Sequence, residues 1–110
     1  MEIKDAEYVQ AIARNRNISK AARELFISQP SLSRYLSNLE ARIGVTLFER
    51  QKNEVIPTRA GEIYIRYSRE IISKKQALYQ ELQTLRSQET DIIRIGFSLN
   101  SSTLYLWEDF

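Results

Sequence analysis

Apolar residues recur at three- and four-residue steps in three successive stretches of the first 43 positions, the period of amphipathic helices. In residues 4–15, Tyr8, Ala11 and Ile12 share one face. The run Arg14-Asn15-Arg16-Asn17 closes that stretch, with Asn15 or Asn17 as the terminator because asparagine tolerates the left-handed conformation. A second helix is predicted over residues 20–26, with Ser19 as its N-cap and Ala21, Ala22, Leu25 and Phe26 turned inward. The two alanines permit a close helix crossing. The third helix starts at Ser28, a natural N-cap, with Pro30 in its first turn, where a missing N–H is harmless. Ile27 and Leu32 occupy the two positions of a hydrophobic staple. Leu32, Leu36, Leu39 and Ile43 form the buried stripe, and Gly44 stops the helix. Only about three residues separate helices two and three, the spacing of a helix-turn-helix.

Beyond Gly44 the period shortens. Residues 45–50 and 54–57 are short, partly β-branched runs around Gln51-Lys52-Asn53, which predicts a hairpin, or wing. Thr58 then caps a long helix over residues 59–87, and Pro57 discourages an earlier start. Ala60, Ile63, Tyr64, Tyr67, Ile71, Leu78, Leu82 and Leu85 follow one stripe along it, interrupted once by Lys74 and Lys75. So small a domain cannot bury so long a stripe, so Ile63, Tyr64, Tyr67, Ile71, Leu78, Leu82 and Leu85 are expected to meet a second copy. Gln88-Glu89-Thr90-Asp91 reads as a polar break, residues 92–98 as a strand, and residues from Ser101 onward as the start of a helix. The fold class is therefore mainly α with a small β-hairpin: a winged helix-turn-helix over residues 1–58, a dimerisation helix over 59–88, and over 89–110 the stub of an incomplete α/β domain.

The outer side of the third helix changes the picture from fold to function. It collects Pro30, Ser31, Arg34, Ser37 and Asn38, with Ser33 at its margin. A merely solvated helix would carry Glu and Lys there, since both form helices better than serine does. A face of small hydroxyls, an amide and one guanidinium fits the major groove of DNA. Gln29 can offer a bidentate pair to adenine, Arg34 the same to guanine, and Pro30 an apolar surface to a thymine methyl. Ser31, Ser33, Ser37 and Asn38 can reach bases or phosphates. Ser28 reads as a cap rather than a base reader. Ser19, Lys20, Arg50, Lys52, Thr58 and Arg59 are the candidate phosphate contacts, at helix starts or on the wing.

Charge agrees mildly: residues 1–60 hold 10 Lys/Arg against 7 Asp/Glu, whereas residues 61–110 hold 6 against 7. The chain has neither histidine nor cysteine, which removes the commonest general base and thiolate metal ligands, and its carboxylates are scattered, so an enzyme is not expected. No cofactor, metal or membrane partner is implied. A rival reading of the same residues is a helix-mediated protein–protein interaction module that never touches DNA. Salt separates the two, because DNA binding weakens steeply as counterions compete.

Taken together, Ser19-Lys20-Ala21-Ala22, the run from Leu25 to Arg34, Leu39-Glu40, the run from Ile43 to Arg50, and Pro57-Thr58-Arg59-Ala60-Gly61 resemble the LysR-type transcriptional regulators of bacteria. Ile93-Arg94-Ile95-Gly96 is similar to the start of that family's effector domain. The resemblance implies a sequence-specific transcriptional regulator. It would read an inverted-repeat operator in double-stranded DNA through residues 28–43, as a homodimer paired by the linker helix. A tetramer is open to a full-length form, and a small-molecule effector applies only where the C-terminal domain is present. Full members are much longer, so this chain is expected to be a truncated product or expressed fragment, working in the bacterial cytoplasm at the nucleoid. Ser98, Ser101 and Ser102 fall where the family's ligand pocket begins. Two departures stand out. Arg16 occupies a position where the family usually has glycine, so the first turn is expected to find its geometry elsewhere, through Asn17. The family often carries arginine at the wing tip where this chain has Asn53, leaving Lys52 or Asn53 for the minor groove.

Overall fold

The first turn of helix α1 (Ile3–Asn15) is held by a carboxylate. The Asp5 side chain accepts a hydrogen bond from the Glu2 backbone N–H at 3.1 Å. From there the chain runs through α2 (Ile18–Glu24), α3 (Gln29–Ile43), strands β1 (Phe48–Gln51) and β2 (Glu54–Pro57), and α4 (Arg59–Arg94). The structure, a computed structural model, describes residues 1–94 and the side chains of residues 1–88. The described residues fall into two compact units, divided between Ser73 and Lys74.

In the first unit, Val9 and Ile12 of α1, Ala21 and Ala22 of α2, and Leu32, Leu36 and Leu39 of α3 form one core, closed by Leu47, Phe48 and Val55 of the wing. Ala21 and Ala22 are 0% and 2% exposed, which gives the close helix crossing that small side chains permit. Ser28 caps α3, its Oγ accepting from the Ser31 N–H at 3.2 Å, and Gly44 ends it at φ 78°. The hairpin pairs antiparallel, with Arg50 opposite Val55 and Gln51 opposite Glu54, leaving Lys52-Asn53 as the turn. This is a winged helix-turn-helix followed by a long helix.

Several expectations are corrected by longer-range geometry. The cap of α2 is Asn17, not Ser19: the Asn17 side chain accepts from the Lys20 N–H at 2.8 Å, so the helix starts two residues earlier. Neither asparagine terminates α1. Arg16 itself takes the left-handed conformation, at φ 53°, and its carbonyl accepts from the Val55 N–H of β2 at 3.1 Å. Phe26 is not a core residue. It lies past the end of α2 at φ 59° and is 94% exposed, because the left-handed turn swings its side chain away from the core. Ile43 is 41% exposed, one turn beyond Leu39 and past the residues that make the core.

Helix α4 continues through Gln88-Glu89-Thr90-Asp91 and on to Arg94. The expected polar break is helical, because glutamine and glutamate are good helix formers and polarity alone does not end a helix. Ile92 and Ile93 are therefore helical rather than the start of a strand, and the remainder of that predicted strand and the segment after it lie outside the described residues. In the second unit, Leu78 and Leu85 are exposed and Leu82 is half-buried. No helix among the described residues is long and apolar enough to cross a membrane.

Candidate nucleic-acid interface

The serine-rich side of α3 owes its orientation to its opposite side. Leu32, Leu36 and Leu39 are at most 1% exposed and fix which way the helix faces. A polar anchor adds to them. Asp5, itself 1% exposed, accepts from the Tyr35 hydroxyl and from Arg42 Nη2 at 3.2 Å, so both halves of α3 are tied to the start of α1. Burial alone would raise the Asp5 carboxyl. The hydrogen bonds from Tyr35, the Glu2 N–H and Arg42 outweigh it and hold the group below its ordinary value. Burial, then the Asp5 carboxylate, push the Tyr35 phenol well above its usual range. The Tyr8 and Tyr35 rings pack at 4.6 Å between centroids, with the Lys4 ammonium over both.

With α3 so held, Gln29, Pro30, Ser31, Arg34, Ser37 and Asn38 are all exposed, and Ser33 is half-buried at the edge. Arg34 has no hydrogen-bond or ion-pair partner among the described residues. Glu40 is occupied elsewhere: its carboxylate accepts from the Leu47 N–H at 2.6 Å and the Phe48 N–H at 3.3 Å. That contact joins the end of α3 to the base of the wing. Asn17 makes a second wing contact, donating from Nδ2 to the Asn53 carbonyl at 3.1 Å. Neither Glu40 nor Asn17 was identifiable as a wing anchor from its neighbours in sequence, since the partners are 7 and 36 positions away.

The wing brings Arg50 beside α3, where its Nη1 donates to Ser33 Oγ at 3.3 Å. Lys52 and Asn53 are exposed at the tip, with Asn53 at φ 60°. Ser19, Lys20 and Arg59 are exposed as well. Thr58 is different. Its hydroxyl donates to the Thr46 carbonyl at 2.6 Å and accepts from the Gly61 N–H at 3.0 Å, while its own N–H donates to the Leu47 carbonyl at 2.9 Å. Both of its donors are engaged inside the fold, where Thr58 caps α4.

On α4, Ile63 and Tyr67 are 45% and 52% exposed. Ile71 is half-buried. Tyr64 departs from the expected outward stripe: together with Ala60 and Ile65 it packs against the core of its own unit. Gln10 of α1 adds a polar tie to the same helix, donating from Nε2 to the Ile65 carbonyl at 2.7 Å.

The family described as bacterial regulatory helix-turn-helix protein, lysR family, matches residues 3–62, more than half of the chain. The chain belongs to the LysR family. Among its relatives is the uncharacterized HTH-type transcriptional regulator YybE of Bacillus subtilis (strain 168), 34% identical over 97 residues, covering 88% of this chain and 33% of YybE. YcgK of the same organism, also an uncharacterized HTH-type transcriptional regulator, is 43% identical over 88 residues, covering 80% of this chain and 27% of YcgK. The chain thus spans about a third or less of the length of these curated relatives. Among solved structures, the BenM DBD in complex with catB site 1 DNA matches with a TM-score of 0.75 at 31% identity, over 79% of this chain and 97% of that one. The CbnR DBD–DNA complex matches with a TM-score of 0.67 at 31% identity, over 83% and 99%. The LysR match ends within the first turns of α4, so it covers the three helices, the wing and their junction with the long helix.

Proposed function

We propose that this chain is the sequence-reading part of a LysR-family transcriptional regulator and that it reads an inverted-repeat operator as a dimer. The observation that carries the reading is the exposed polar face of α3, held by a fully buried opposite side, with Arg34 unengaged at its centre. Such a helix meets the major groove with its N-terminal half foremost. The BenM and CbnR domains, which share the fold, are bound to DNA in their crystals.

In this reading Gln29 pairs with adenine, Arg34 with guanine, and Pro30 packs on a thymine methyl. Ser31, Ser33, Ser37 and Asn38 supply the shorter contacts. Ser19, Lys20, Arg50 and Arg59 hold phosphates, and Lys52, with Asn53 beside it, reaches the minor groove from the wing tip. The second copy joins along α4 through Ile63, Tyr67, Ile71, Leu78, Leu82 and Leu85, whose three- and four-residue steps suit a helix partner. Tyr64 stays with its own core. The residues beyond 94 belong, in this reading, to an effector domain that responds to a small molecule, and the protein works in the cytoplasm on nucleoid DNA.

Selection of bound duplexes from a random pool, followed by binding of variants to the selected site and to scrambled DNA, tests this. Arg34→Ala is expected to cost about 1–3 kcal/mol on the selected site and to relax one position, while Lys52→Ala weakens all sequences alike. An unchanged ratio of selected to scrambled binding in Arg34→Ala would remove its base-reading role. A sedimentation mass of one chain at tens of micromolar would remove the dimer.

A further inference from the structure

Ser33 stands where the face of α3 meets the wing, and two potential DNA contacts converge on its hydroxyl. Its Oγ accepts from Gln29 Nε2 at 3.1 Å, one turn earlier on the same helix. It also accepts from Arg50 Nη1 at 3.3 Å, across from β1. Gln29 and Arg50 are exposed, whereas Ser33 is half-buried. The anchoring atom is therefore the more fixed of the three.

A glutamine side chain on an open surface samples several rotamers, whereas reading adenine needs its amide held against the base edge, accepting from N6 and donating to N7. The Ser33 contact limits that freedom. With one end of the Gln29 amide hydrogen-bonded to Oγ, the group is held at a defined point one turn along the helix. Arg50 donates to the same hydroxyl oxygen, which ties the guanidinium of the wing strand to that point.

We infer that Ser33 is a positioning residue for specificity: it holds the Gln29 side chain in place and couples it to Arg50, so that base reading and the wing contact occur in one register. The inference rests on the proposed DNA-reading function of α3.

The test uses the whole chain and the duplex selected by the unmodified protein, with each base pair of one half-site substituted in turn. Gln29→Ala is expected to level the preference at one base pair. Ser33→Ala should reduce discrimination at that same pair by about fivefold, a factor equal to one bidentate contact at the weak end of its range. Discrimination at the pair levelled by Arg34→Ala should stay unchanged, and Ser33→Thr, which keeps the hydroxyl, should restore discrimination. In a double-mutant cycle, Gln29→Ala and Arg50→Ala should be non-additive in the Ser33 background and additive in the Ser33→Ala background. If Gln29→Ala levels one pair but Ser33→Ala weakens all duplexes alike, Ser33 is a plain contact and the inference fails while the reading of α3 stands. If Gln29→Ala changes no base preference, both fail. Alanine is a better helix former than serine, so loss of folding does not confound the comparison.

Discussion

Replacing Gly61 with alanine is expected to cost at least about 3 kcal/mol of folding stability, the upper end of what overpacking does. An added Cβ at position 61 would lie 1.9 Å from the Leu47 carbonyl oxygen and 2.9 Å from its carbon. Both obstructing atoms are backbone, so no rotamer change relieves the clash. That same oxygen accepts from the Thr58 N–H at 2.9 Å and from the Thr58 hydroxyl at 3.3 Å. Moving it breaks the contacts that join the base of the wing to the first turn of α4. Gly44 is the control. It has no atom within 4 Å of an added Cβ, and its φ of 78° is the only obstacle. Alanine there should cost about 1–2 kcal/mol, the left-handed penalty alone. Urea unfolding of the two variants side by side checks this. A Gly61→Ala protein no less stable than Gly44→Ala would mean that the wing base yields without loss.

Asp5→Ala is expected to be the second large loss, about 3 kcal/mol, because it strips a buried carboxylate from several partners at once. The Tyr35 hydroxyl and the Glu2 N–H lose their acceptor, and α3 loses its polar tie to α1. A pH signature separates this from a simple cavity. The carboxyl titrates below its ordinary value in the fold, so its contribution is fully present above the unfolded value of about 3.9. It is lost as pH falls through the lower folded value. The unmodified chain should therefore lose stability on that acid limb more steeply than Asp5→Ala does. Identical slopes for the two proteins, measured by urea unfolding between pH 6 and about pH 2.5, would show that Asp5 is not the group responsible.

How much of this could be read from the sequence depended on how far apart the partners lie. The Ser28 cap, the Gly44 stop, the leucine stripe and the hairpin around Lys52-Asn53 each rest on residues within a turn or two of one another, and each is present. The errors arose where two local signals were equivalent or where a distant residue decided. Asn17 and Ser19 are both good caps, and nothing nearby chooses between them. Phe26 satisfied the helical period, but the chain had already turned left-handed. The candidate face of α3 was legible because its residue types are poor for a plain solvated helix. Its supports were not: Asp5 meets Tyr35 and Arg42 across 30 and 37 positions, and Gln10 meets Ile65 across 55. Thr58 was legible as the cap of α4, but not the reach of its hydroxyl to the Thr46 and Leu47 carbonyls, which lie across the wing rather than beside it.

Among the described residues, three other than glycine adopt the left-handed conformation, and each sits at a joint of the candidate face: Arg16 between α1 and α2, Phe26 between α2 and α3, and Asn53 at the wing tip. Such a conformation costs an arginine or phenylalanine about 1–2 kcal/mol and persists only where the surroundings hold it. Two of the three hold each other through the wing. The Arg16 carbonyl takes the Val55 N–H, and the Asn53 carbonyl takes the side-chain N–H of Asn17, the residue next to Arg16. Detaching the wing would remove a support from the first joint, and relaxing the first joint would remove one from the wing tip. These two bends thus share a brace, so a change that loosens one is expected to be felt at the other.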